Sequence, residues 1–116
     1  MSKLKIFHNT RCSKSRQGLA ILEESNEAFE VIEYLKNPPT EKELKEILKM
    51  LEFRPIQLVR KGETIWKENY KGKDLSDDEI IKAMIENPKL IERPIVIKGN
   101  KAVIGRPPDE IKNLFE

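Results

Sequence analysis

Cysteine and histidine are almost missing from this chain: Cys12 and His8 are the single examples of each in 116 residues. One cysteine forbids an internal disulfide, and small secreted domains ordinarily carry several. A structural zinc site takes about four Cys or His ligands, so no metal is expected. Papain-like catalysis places its histidine well downstream of the cysteine, whereas His8 lies upstream. Ser15 stands where a CxxC redox motif would have its second cysteine, and Gly18 stands where a phosphatase-like loop would have its arginine. Also absent is an excess of either charge. Lys and Arg number 22 against 20 Asp and Glu, for a net charge of +2. These charges are interspersed, which argues against a nucleic-acid partner. No apolar run approaches the roughly 18 residues that cross a bilayer, and no membrane association is expected. The first ten residues turn polar too soon for a secretory signal. With a lone thiol, this points to the reducing cytoplasm.

What remains is an ordinary globular composition, 38% hydrophobic and 36% charged, of a length that predicts one domain. Lys3 to Phe7 reads as a strand, Ser13 to about Ser25 as a helix with Leu19 and Leu22 on its buried face, and Phe29 to Tyr34 as a second strand. Gly18 inside that helix costs about 1 kcal/mol against Ala, a hint of close backbone approach. Thr40 with Glu43, and Ser76 with Glu79, form capping boxes at the starts of two amphipathic helices. Leu44, Ile47, Leu48 and Leu51 line the first helix; Ile80, Ile81, Met84 and Ile85 line the second. Pro55 opens a short helix running to about Arg60. Lys61 to Asp74 reads as a polar segment anchored by Trp66 and Tyr70. Pro94 to Lys98 and Lys101 to Gly105 read as a hairpin turning at Gly99-Asn100. Asp109 to Phe115 closes the chain as a helix. The order is a βαβ unit, a helical insertion over about residues 40–90, and a ββα unit. This is the α/β, three-layer, thioredoxin-like plan, and it leaves the chemistry open.

Cys12 falls between the first strand and the first helix. Sites in open α/β sheets form there, beyond the carboxyl ends of strands. A sulfur at that point meets unpaired backbone N–H groups, here around Ser13 and Lys14, and the positive end of the helix dipole. Arg11, Lys14 and Arg16 add positive charge, as does His8 when protonated. A free cysteine with pKa near 8.5 is only about 3% thiolate at pH 7. Lowering that pKa by about two units needs about 2.7 kcal/mol, within reach of a helix end plus nearby cations. The alternative reading is a small buried hydrophobe, which free cysteines often are. With no second thiol in the chain, an oxidised or adducted Cys12 must be released by an outside thiol.

Several stretches resemble the glutaredoxin-dependent arsenate reductase family of the single-cysteine CxxS type. They are HNTRCSKSR from His8 to Arg16, NPPT from Asn37 to Thr40, Arg60-Lys61, NPKLIERPIVI from Asn87 to Ile97, and IGRPP from Ile104 to Pro108. They run in order over nearly the whole chain. The resemblance implies a thioredoxin-like fold with a helical insertion. It implies Cys12 as the nucleophile toward arsenate, His8 favouring the thiolate, and Ser15 hydrogen-bonding near the sulfur. Arg60, Arg93 and Arg106 match the arginines that bind the oxyanion, and Pro94 matches the cis-proline beside the active sulfur. It further implies glutathione as co-substrate, glutaredoxin as partner, a monomer, and no bound cofactor. A glutathione-dependent thiol reductase without arsenate activity is an alternative on the same scaffold. Regulators that grip RNA polymerase are another, but those use a CxxC switch that Ser15 removes.

Overall fold

The computed structural model describes residues 4–115. These fall into two compact units, one made of the chain up to Asn37 together with Arg93 onward, the other of Pro38–Glu92. Lys3, expected to begin the first strand, lies outside the described residues.

The first unit carries a four-stranded sheet of order β2-β1-β3-β4. Strand β1 (Leu4–Phe7) is followed by helix α1 (Ser13–Glu24) and strand β2 (Phe29–Ile32), which pairs parallel to β1 with Leu4 opposite Phe29. Parallel pairing requires a crossover, and α1 supplies it. Strands β3 (Ile95–Lys98) and β4 (Lys101–Ile104) form the hairpin, and β3 runs antiparallel to β1. Lys98 pairs with Lys101, so the connection is the two residues Gly99 and Asn100. Gly99 has φ of 61°, whereas Asn100 is not among the positive-φ residues, a pattern that suits a type II′ turn with glycine at its first position. A 3-10 helix at Pro108–Phe115 ends the unit, where a short helix from Asp109 was expected.

Alternation along β1 points Leu4 and Ile6 to one face, where they meet Val96 of β3, Leu22 of α1, and Ile111 and Leu114 of the C-terminal segment. Each such side chain contributes about 1.5–3 kcal/mol when fully buried. The buried stripe of α1 is Ser15, Gly18 and Leu22, with Leu19 only partly covered. It therefore starts one turn earlier than the leucine pattern indicates, and its first member is polar. The Gly18 hint has a structural cause. A Cβ there would sit 2.9 Å from Ile111 Cδ1 and 3.1 Å from Pro94 Cγ. Gly105 is tighter still, at 2.8 Å from Pro94 Cγ and 3.0 Å from Ile111 Cδ1.

The second unit is helical. Both capping boxes form. Thr40 Oγ1 accepts from Glu43 N at 3.1 Å and opens α2 (Glu41–Leu51); Ser76 Oγ accepts from Glu79 N at 3.2 Å and opens α4 (Asp77–Glu86). Leu44, Ile47 and Leu48 of α2 and Ile80, Ile81 and Met84 of α4 are buried. The helix expected from Pro55 to about Arg60 is a 3-10 turn over Pro55–Leu58. The segment read as merely polar contains a short helix, α3 (Thr64–Asn69), with buried Trp66 stacked on Tyr70 at 5.5 Å between ring centroids. Its single turn and a half offers too few positions for periodicity to reveal it.

Candidate active site

Cys12 is the N-cap of α1, with extended backbone at φ −94° and ψ 121°, and its carbonyl accepts the first helical bond from Arg16 N at 3.0 Å. The loop before it is braced locally. Asn9 O accepts from Cys12 N at 3.0 Å, Asn9 Oδ1 accepts from Arg11 N at 3.0 Å, and Arg16 Nη1 donates to Thr10 O at 2.9 Å. His8 N donates to Ile32 O at 2.8 Å, which ties this loop to the carboxyl end of β2. The sulfur is partly exposed at the place where the fold leaves helix N–H groups without partners.

Two arginines converge on that sulfur. Arg106 Nη2 lies 3.6 Å from Cys12 Sγ while its Nε donates to Arg93 O at 2.7 Å. Arg93 also acts on the same sulfur, and its charge favours the thiolate. Arg93-Pro94 is a cis bond, as is Arg106-Pro107. The thiol pKa is lowered from its ordinary value. Partial burial opposes the charge, and it is outweighed by the Arg93 hydrogen bond, the Ser15 N–H, the Arg93 charge and the Lys14 N–H. The side chain makes no cap hydrogen bond of good geometry. The thiolate is thus favoured by the arginine first and by the helix end second.

His8 and Ser15 form a buried pair beneath the loop. His8 Nδ1 and Ser15 Oγ are 2.6 Å apart, and Ser15 Oγ accepts from Asn9 N at 3.0 Å. Burial lowers the His8 pKa; Glu33 pulls it up and Arg16 pushes it further down. Burial thus favours the neutral ring, which stands in hydrogen-bond contact with Ser15. Ser13 and Lys14 occupy the first exposed turn of α1.

Arg60 belongs to the second unit. There its Nη1 donates to Glu92 Oε1 at 2.7 Å, its Nε lies 3.9 Å from Glu63 Oε1, and its N–H bonds to Leu90 O at 2.7 Å. Its charge is met by carboxylates of its own unit. Among the described residues no three His, Cys, Asp or Glu side chains gather as a metal-holding group. The residue that sequence reasoning passed over is Tyr34, wholly buried just past β2. The available signal was its place: a polar aromatic at the carboxyl end of a strand that neighbours the strand leading into the Cys12 loop.

Comparison with known proteins places the chain in a family. Residues 7–114 match the ArsC family. The chain is 44% identical over 111 residues to the protein named "Uncharacterized protein YfgD" of Escherichia coli strain K12, covering 94% of this chain and 93% of that one. It is 41% identical over 114 residues to a protein named arsenate reductase from Neisseria meningitidis strain Z2491, covering 97% of each. A solved structure named arsenate reductase from Vibrio cholerae superposes with a TM-score of 0.91 at 42% identity, covering 97% of both chains. With its α/β, thioredoxin-like sheet and nearly full-length matches, the chain belongs to the ArsC family.

Proposed function

We propose that this protein is a cytoplasmic, monomeric arsenate reductase in which the Cys12 thiolate is the nucleophile, glutathione the co-substrate and glutaredoxin the partner. The observation that carries the reading is the convergence of Arg93 and Arg106 on one thiol sulfur at the start of a helix. Guanidinium forks suit a tetrahedral oxyanion, and the same charges that favour the thiolate would hold the arsenate oxygens beside it. The names carried by relatives at 41% identity support the substrate.

The cycle balances as follows. Cys12 sulfur forms a bond to arsenic(V) as one As–O bond breaks, and the departing oxygen leaves as water. A glutathione thiol replaces a second hydroxyl, releasing another water. A glutaredoxin thiol then takes the glutathionyl sulfur. The S–S bond forms, the As–S bond to glutathione breaks, and its electron pair stays on arsenic, now arsenic(III). Water hydrolyses the remaining S–As bond, returning the Cys12 thiol and releasing arsenite. Two external thiols leave as one disulfide, matching the two electrons gained by arsenic. Arg93 and Arg106 supply fixed positive charge to the oxyanion throughout, while Arg60 keeps Glu92 and Glu63 as its partners. No bound cofactor or metal enters any step.

The test is NADPH oxidation in the presence of glutathione, glutaredoxin and glutathione reductase. Oxidation is expected to depend on arsenate and to vanish in Cys12→Ser. No arsenate-dependent turnover, with activity instead on a glutathionylated disulfide, would overturn the arsenate reading in favour of a thiol reductase.

A further inference from the structure

The structure assigns Gly105 as a positioning residue: its missing Cβ lets the chain leaving β4 close on Pro94, which brings Arg106 to the Cys12 sulfur. The proposal rests on the reading of Cys12 as a thiolate nucleophile and adds the device that aims one of its cations.

The hairpin sets the register. Ile95 pairs with Ile104, so one step further Gly105 stands opposite Pro94, and Gly105 N donates to Pro94 O at 2.9 Å. Pro94 has no N–H to return that bond, so the ladder ends there. The next contact across the pair is made by a side chain. Arg106 Nε donates to Arg93 O at 2.7 Å, and Nη2 of the same guanidinium reaches Cys12 Sγ at 3.6 Å. Arg106 is exposed, and a long exposed side chain keeps most of its rotamer freedom unless something holds it. The Arg93 carbonyl is such a hold. It works only while residues 105–106 lie close against residues 93–94.

Gly105 permits that approach through space rather than through conformation. It is buried and is not among the residues with positive φ, so alanine would suit its backbone. A Cβ there, however, would lie 2.8 Å from Pro94 Cγ and 3.0 Å from Ile111 Cδ1. Pro94 and Ile111 are fully buried, and they are pressed against α1 as well. A Cβ on Gly18 would lie 3.1 Å and 2.9 Å from the same two atoms. The ring has little room to retreat, so the chain after β4 must move out. Going from 2.8 Å to ordinary contact at about 3.4 Å takes a shift of about 0.6 Å. That exceeds the spread of good N–H···O distances, about 2.7–3.2 Å, so the hold on Arg106 would be lost.

The experiment is the pH profile of Cys12 alkylation by iodoacetamide in the full chain, with folding followed by circular dichroism. It needs no arsenate, so failure of the substrate reading leaves it interpretable. A parent midpoint at the ordinary cysteine value would sink the thiolate reading, and this proposal with it. With a lowered parent midpoint, Gly105→Ala is expected to move it upward by about half a unit, since a thiolate that loses an oriented donor is less favoured. In an Arg106→Ala background the same change should move it no further, because Gly105 acts through Arg106. A folded Gly105→Ala whose profile overlays the parent overturns the proposal, and so does an equal shift in both backgrounds. Arg106→Lys reads the aim without touching the packing. It keeps the charge, but a compact ammonium does not reproduce the two N–H contacts of the fork. Its midpoint should rise by most of the Arg106→Ala shift, and a parent-like profile there overturns the proposal even where Gly105→Ala does not fold.

Discussion

Removing Arg93 and removing Arg106 should disturb Cys12 unequally, and the inequality can be worked from the structure. At the observed 3.6 Å between Arg106 Nη2 and Cys12 Sγ, two unit charges attract by about 1 kcal/mol in bulk water and by about 4–5 kcal/mol at an effective dielectric near 20. Arg106 is exposed, so its attraction lies at the watery end. Arg106→Ala should raise the Cys12 midpoint by about half to three-quarters of a unit. Arg93 is half-buried, has its Nε sealed from solvent, and contributes most among the groups that favour the thiolate. Its attraction is less diluted by water, about 2 kcal/mol after desolvation is discounted, and Arg93→Ala should raise the midpoint by about one and a half units. Salt separates the two further. The screening length is about 10 Å at 0.1 M and about 3 Å at 1 M. The contribution of Arg106 should therefore fall by more than half at high salt, whereas that of Arg93 should persist. Alkylation rate against pH, at low and high salt, reads both quantities. An Arg106→Ala shift as large as that of Arg93→Ala, or one indifferent to salt, would refute the argument that burial ranks these two cations.

Two further consequences concern the first unit as a folded body. Gly105→Ala places a methyl group 2.8 Å from the rigid Pro94 ring and 3.0 Å from Ile111 Cδ1. Overpacking of this kind costs about 1–3 kcal/mol, so the thermal midpoint should drop by several degrees, and an unchanged melting curve would show that the contact relaxes freely. His8 has a folded-state pKa below its ordinary value of 6.5, chiefly from burial. The unfolded chain therefore takes up the proton first as pH falls. The stability contributed by the neutral ring is complete above about pH 6.5 and is lost as pH falls through the lower folded value. Urea unfolding in a Cys12→Ser background, which removes the thiol's own titration, should lose more stability from pH 7.5 to 5.5 with His8 than with His8→Gln, by up to about 1.4 kcal/mol for each unit of depression. Parallel losses in the two proteins would mean that His8 titrates alike in both states.

Local signals were strong wherever a short-range interaction decides the structure. The capping boxes at Thr40 and Ser76 and the Gly99-Asn100 turn are each settled within four residues, and all three form as read. The order of strands and helices followed because hydrophobic period changes at each boundary. Ends were less legible. Strand β2 stops at Ile32, two residues before the apolar pattern does. Tyr34, which continues that pattern, is buried in the following turn rather than on a strand. The same ambiguity hid its hydroxyl: alternation counts tyrosine as an apolar side chain and gives no weight to its oxygen. Helix α1 misled in a similar way. Its leucines mark a buried face, yet the stripe begins at Ser15, whose hydroxyl is accommodated by His8 and Asn9. A periodicity that scores serine as polar places it outside.

The site itself could be named by residue but not weighted by residue. Sequence position sets Cys12 at a helix start and counts the cations near it along the chain, Arg11, Lys14 and Arg16. The cations that meet the sulfur, Arg93 and Arg106, come from more than eighty residues away in sequence, across the hairpin and its flanking prolines. Arg16 instead bonds the Thr10 carbonyl of its own loop. Helix-end charge alone stabilises an anion by about 0.3–1 kcal/mol at an exposed site, too little for the two-unit depression considered from sequence. The larger share must come from a guanidinium held in place, and holding it is a property of the tertiary structure. The Arg93 fork is useful to a thiolate only if its direction is fixed before the substrate arrives, because an unconstrained arginine pays for its ordering at each encounter. That requirement makes the aim of Arg93, along with its charge, part of the site's chemistry. It also predicts that changes which loosen Arg93 without removing it will be read at Cys12 before they are read anywhere else in the fold.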